Sequence, residues 1–221
     1  MPERVIAQVM NIGDYADVQL LAAQVGDDVL RQVLAHAQAG QFNERSWAYW
    51  HYRLGLASVD HVPALPVRRF GVVLAPSGDA EKERVKVSLF GTIAFGRVGE
   101  PDFTDDGVLQ VASFDDLMAT KVKVVLQRAE AKDYRDVAAM INAGVSLAHG
   151  LASARLLFGP NFQPSESLKA LTYFKDGDLN TLTAAEKNTL VDAVKAVGDL
   201  PEVTLISQRL SANQIPAHPS A

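Results

Sequence analysis

The chain has 221 residues, 48% of them hydrophobic, a formal net charge of -5 at pH 7 and no cysteine. The apolar content is sufficient for a buried core, and the missing cysteines exclude disulfides, thiolate metal sites and cysteine nucleophiles. The acidic balance excludes a surface generally adapted to nucleic acid, so any RNA contact has to be local.

The N-terminal stretch MPERVIAQVM has no basic start, long apolar run or small-residue cleavage site, and no later apolar run reaches membrane-spanning length. A cytoplasmic protein with no membrane partner is therefore expected. From Val5 to about Leu54 the pattern is helical, with Val18, Leu21, Ala22 and Val25 at helical spacing, then Val29, Val33, Leu34 and Ala37. Gly13, Gly26 and Gly40 punctuate it, and Asp27 and Asp28 fall at a helix start. The stretch FNERSWAYWHYRLGL places Trp47, Trp50 and Leu54 on one helical face, which predicts packing against the rest of the chain or a second copy.

Pro63 and Pro66 end this region, because each lacks a backbone donor and pushes its predecessor toward an extended conformation. The period then becomes strand-like in RRFGVVLA, RVKVSLFG, TIAFGRV and GVLQVAS. Ser113 followed by Asp116 resembles a capping box, and the helix it starts is expected to bury Leu117, Val124 and Val125. Further helices fit at about Tyr134 to Asn142, Leu147 to Leu157, Ser165 to Phe174 and Ala184 to Val197. The expected fold class is α+β, a small mixed β-sheet flanked by helices. Residues 1–60 form a helical N-terminal subdomain, 61–112 the sheet region, 113–210 a helical C-terminal bundle and 211–221 a flexible tail.

Several chemistries lack an anchor. The five histidines show no ligand spacing, and there is no HExxH, CxxC, EF-hand loop or GxSxG elbow. GTIAFGRVG has Arg97 and Val98 where a phosphate-binding loop needs Lys and Ser or Thr, so its glycines read as turns in the sheet. The dense chemistry lies in SFDDLMATKVKVVLQRAEAKDYRDV, which carries Lys121, Arg128, Lys132, Asp133 and Asp136. From spacing alone these charges are either ion pairs bracing two consecutive helices, Lys132 with Asp136 being an i, i+4 pair, or one half of an active site.

This segment resembles the signature of the AbiEii/AbiGii toxin family, a branch of the nucleotidyltransferase superfamily: S-x-x-D-L-x-x-x-K, a short gap, R, then K-D-[FY]-x-D. The likeness continues in GVSLAHGLASARLLFG and LKALTYFKDGDL and covers roughly Arg84 to Leu210. It implies an enzyme that moves a nucleotide onto an acceptor, in some members a transfer RNA end, using Mg2+ and a nucleoside triphosphate if active and no cofactor otherwise. On that resemblance Lys121, Asp133 and Asp136 are the catalytic candidates, while Lys121, Arg128 and Lys132 would hold phosphate. The superfamily also needs a G-[GS] loop followed by D-x-D on a strand, since paired carboxylates hold two metals, and no such element is found upstream. By the resemblance, then, the chain corresponds to the C-terminal portion of such an enzyme, with its metal ligands unknown.

The expected function is that of a degenerate AbiEii/AbiGii-like protein of a toxin-antitoxin or phage-defence system, working through partner or nucleotide binding. Its partners would be a cognate antitoxin or neighbouring-gene protein, RNA, or further copies of itself. Two alternatives stand beside it. One is an active nucleotidyltransferase modifying RNA or protein, with carboxylates such as Asp79 and Glu81 or from a partner chain. The other is a structural adaptor that docks through Trp47, Trp50 and Tyr52.

Overall fold

A computed structural model describes residues 3–66 and 96–210. The first helix, α1 (Glu3–Ile12), buries Ile6, Ala7 and Met10 on one face. Helix α2 (Tyr15–Ala35) starts at Asp14, whose carboxylate accepts the Asp17 N–H at 2.9 Å. Gly26 breaks α2 with φ 75° and ψ 161°, a conformation that other residues adopt only under strain, so Asp27 and Asp28 do begin a new helical segment. Helix α3 (Glu44–Arg53) is capped by Asn43, which accepts the Ser46 N–H at 2.8 Å.

Two short strands follow, β1 (Asp102–Phe103) and β2 (Gln110–Val111), antiparallel with Asp102 opposite Val111 and Phe103 opposite Gln110. GVLQVAS thus supplies a strand; from TIAFGRV, Arg97 makes a single antiparallel bridge to Ser207. RRFGVVLA and RVKVSLFG lie outside the described residues. Five α-helices follow among the described residues: α4 (Phe114–Gln127), α5 (Ala131–Asn142), α6 (Leu147–Phe158), α7 (Pro164–Leu171) and α8 (Ala184–Ala196). The fold is α+β and predominantly helical. No helix among the described residues is long and apolar enough to cross a membrane.

Helix α4 is the central strut, packing on α6, α5 and α7, while α5 packs on α8 and α3 on α7 and α8. Its buried residues are Met118, Ala119, Val122 and Val125. Leu117, expected in the core, is exposed, and Val124 is only half-buried, because the helix turns the Met118–Val122–Val125 stripe toward its neighbours. Helix α7 ends at Leu171 instead of running to Phe174, and the Tyr173 backbone N–H closes it on the Ala170 carbonyl at 3.1 Å.

Helix α3 is apolar-packed on every side: Trp47, Ala48, Tyr49, Trp50, His51 and Tyr52 are all buried. The Trp50 indole donates to the Met10 carbonyl and the Trp47 indole to the Pro63 carbonyl, both at 2.8 Å. The expected packed role of Trp47 and Trp50 is therefore found, within this chain. The same burial removes the adaptor's docking face, since Trp47, Trp50 and Tyr52 have almost no free surface. Lys169 of α7 is buried too; its ammonium donates to the Asn11 carbonyl at the end of α1 at 2.7 Å and to Glu166 at 2.8 Å.

Candidate functional site

Helices α4 and α5 are joined by a three-residue turn, Arg128–Glu130, which folds the second back against the first and brings residues twelve and fifteen positions apart side by side. Lys121, on α4, donates to Asp133 Oδ1 at 2.9 Å and to Asp136 Oδ2. Arg128, in the turn, grips the other side of Asp133, with Nε 2.8 Å from Oδ2 and Nη2 3.3 Å from Oδ1. Lys121, Asp133 and Asp136 therefore converge at one place, and Arg128 joins them through Asp133.

Lys132 does not form the expected i, i+4 pair with Asp136. Its ammonium lies 2.6 Å from Glu130, whose other oxygen is 3.8 Å from Arg128, while Asp136 is taken by Lys121. The α4–α5 packing decides this: it presents Lys121 to the face of α5 that carries Asp136, and leaves Lys132 on the solvent side beside the turn. Glu130 is the member that sequence reasoning missed, although its place two residues before Lys132 in a tight turn put it within reach.

Burial sets the electrostatics. The Asp133 side chain has no exposed surface, whereas those of Asp136 and Arg128 are about half exposed. Burial pushes the Asp133 carboxyl pKa up, but the hydrogen bonds from Arg128 and Lys121 outweigh it and hold the value below the usual aspartate range. Burial likewise pulls the Lys121 ammonium down, and the hydrogen bonds to Asp136 and Asp133 hold it above the usual lysine value. Asp133 and Lys121 are therefore both held in their charged forms at neutral pH. Such a cluster can offer positive charge to an anion at its surface; it does not offer a proton-transfer group poised near neutrality.

The glycine-rich stretch is closed by the chain itself. The Asp116 carboxylate, almost wholly buried, accepts the N–H groups of Val98 at 2.8 Å and Gly99 at 3.2 Å, and the Ser113 hydroxyl at 2.7 Å. Ser113 caps α4 as expected, and Asp116 accepts the Ser113 hydroxyl at its own helix start while also reaching across to this loop. A carboxylate thus holds the two backbone donors that a phosphate would need, which leaves GTIAFGRVG structural at this end.

Metal ligands are the part missing among the described residues. Both oxygens of Asp133 are taken by cations, and among the described residues no group of three His, Asp or Glu side chains is placed to hold a metal ion. The described residues therefore do not fit a two-metal site, and PSGDAEKE, with Asp79 and Glu81, lies outside them.

A family model described as "Nucleotidyl transferase AbiEii toxin, Type IV TA system" matches residues 22–203. The chain belongs to the AbiEii family. The match starts well before Arg84, so α3 and most of α2 are part of the AbiEii likeness together with the Lys121–Asp133–Asp136 segment. As a toxin of type IV toxin-antitoxin systems, an AbiEii protein has a cognate antitoxin as its counterpart. No curated protein and no solved structure matches the chain.

Proposed function

We propose that this AbiEii protein is a degenerate nucleotidyltransferase that binds a triphosphate through Lys121, Arg128 and Lys132 and transfers little or no nucleotide on its own. The observation that supports this best is the double clamp on Asp133, whose two oxygens face Lys121 and Arg128 at 2.9 and 2.8 Å. A carboxylate so held is a brace for two cations and is lost as a metal ligand. Asp136, in contrast, is half exposed and is the partner that Lys121 can release to an incoming phosphate.

The binding should be weak. Lys121, Arg128 and Lys132 are balanced by Glu130, Asp133 and Asp136, so a triphosphate must displace carboxylates before it meets net positive charge. The protein would act in a cytoplasmic toxin-antitoxin or phage-defence setting, with the antitoxin or another neighbouring-gene protein, an RNA, or a second copy as the occupant that completes it. Calorimetric titration with ATP and with inorganic triphosphate tests the reading. Both should bind the full chain and lose that binding in Lys121→Ala. Absence of binding, or binding indifferent to Lys121 and Arg128, refutes it.

A second reading is an active transferase with carboxylates at Asp79 and Glu81. It is favoured by the span of the family match, 22–203, which includes those residues. In that case Mg2+ would be held there, and Lys121 would neutralise charge on the transferring phosphate.

A further inference from the structure

The segment LKALTYFKDGDL resembles the family but contributes no side chain to the charged cluster. Its contacts run instead to the α4–α5 turn and to α3. Helix α5 begins at Ala131, and its N-cap residue, Glu130, makes no side-chain cap hydrogen bond, being committed to Lys132 and Arg128. Ala131 has no exposed surface, so water cannot reach its N–H easily, and an unpaired N–H there would carry a desolvation cost. The Asp178 carboxylate fills the place, accepting the Ala131 N–H at 2.7 Å from 47 positions downstream.

The neighbouring residue fixes the same turn by contact. Gly177 has φ 52°, and a Cβ built on it would come 2.1 Å from the Ala129 carbonyl oxygen. Only glycine fits both the conformation and the approach. The segment is anchored on either side: Asp176 pairs with Arg45 of α3 at 2.7 Å, the Tyr173 hydroxyl donates to Glu44, and Leu179 is fully buried. Beyond it, Arg135 of α5 donates to the Thr181 carbonyl at 3.0 Å.

We infer that Asp178, seated by Gly177, is a positioning residue that holds the α4–α5 turn and thereby sets Arg128 and Asp133 against Lys121. Asp178 caps the first residue of the helix on which Asp133 is the third, and Gly177 abuts the turn residue that directly follows Arg128. A shift of this turn moves both partners of the buried ion pair together relative to α4. The same geometry accounts for a family likeness that includes both the α3 region and the KDGD segment, since Arg45 and Glu44 anchor the segment that sets the turn.

The inference rests on the triphosphate-binding reading for its functional consequence, and the test separates the two. Carboxyl carbon NMR on the full chain reads the titration of Asp133, and calorimetry reads inorganic triphosphate binding. In Asp178→Ala the Asp133 carboxyl should titrate at higher pH than in the wild type, and triphosphate binding should weaken about tenfold, the worth of one charge-assisted hydrogen bond. Asp178→Asn, whose amide oxygen can still accept from Ala131, should restore both. An Asp133 titration unchanged in folded Asp178→Ala overturns the inference. A shifted titration in a protein whose wild type binds no triphosphate leaves the positioning role standing and removes the binding reading instead. Should Asp178→Ala fail to fold, hydrogen exchange of the wild-type chain decides: the Ala131 amide should be protected at a helix start where such amides are otherwise open, and rapid exchange there overturns the inference.

Discussion

Arg128 and Asp133 face each other across the turn between α4 and α5 with two nitrogens on two oxygens, at 2.8 and 3.3 Å, while Lys121 takes the carboxylate from the helix behind. The pair is asymmetric in solvent: Asp133 is fully buried and Arg128 is about half exposed. That asymmetry determines which substitutions are costly.

Asp133→Ala should destabilise the chain by about 3 kcal/mol, because it leaves the largely buried Lys121 with one exposed partner. Asp136→Ala should cost under about 1 kcal/mol, the ordinary worth of a pair with an exposed member. Urea denaturation monitored by circular dichroism distinguishes them, and equal costs would mean that Asp133 is not held as described.

The stability should also depend on pH in a defined direction. Since the native Asp133 pKa lies below its ordinary value of 3.8, the contribution is present above that value and is lost as pH falls through the lower native one. The Lys121 contribution has the opposite sense: it is complete below the ordinary value of 10.5 and is lost as pH rises through the higher native pKa. Melting temperatures across acid pH should therefore fall less steeply for Asp133→Ala than for the wild type, while the wild-type profile stays flat between about pH 6 and 9 as far as this cluster is concerned.

Trp50→Ala should cost about 3–5 kcal/mol as a buried aromatic truncation. Trp50→Phe retains much of the volume but leaves the Met10 carbonyl without its donor, a loss of about 1–3 kcal/mol. Thermal denaturation of both checks the core role of α3, and wild-type stability in Trp50→Ala would refute it.

Much of this was legible because it is local. Helical spacing located α4 to α8, Gly26 marked the break in α2, and Ser113 marked the start of α4. The order of Lys121, Arg128, Asp133 and Asp136 was enough to bring them together, since a short turn between two helices leaves few ways to pack. What sequence did not disclose is long-range. The reach of Asp178 to Ala131 spans 47 residues, and Asp116 reaches 18 residues back to Val98. The partner of Lys132 was misread for a related reason: i, i+4 spacing offered Asp136, but packing of the neighbouring helix gave that carboxylate to Lys121.

Asp116→Ala should open the loop at Val98 and Gly99. It removes the acceptor of two buried N–H groups, at about 1–3 kcal/mol for each one left unpaired. Amide hydrogen exchange should show faster exchange at Val98 and Gly99 with Val122 and Val125 unaffected. Unaltered exchange at the two loop amides would show that the carboxylate does not close this loop.

The central claim is binding without turnover by the isolated chain, and a transfer assay meets it directly. Purified full-length protein is incubated with each labelled nucleoside triphosphate, total RNA and protein acceptors, and magnesium or manganese, beside Lys121→Ala and Asp136→Ala. The account predicts label in the acceptor no higher than with the two variants. Robust transfer by the wild type, lost in either variant, would contradict it and establish the chain as a working nucleotidyltransferase.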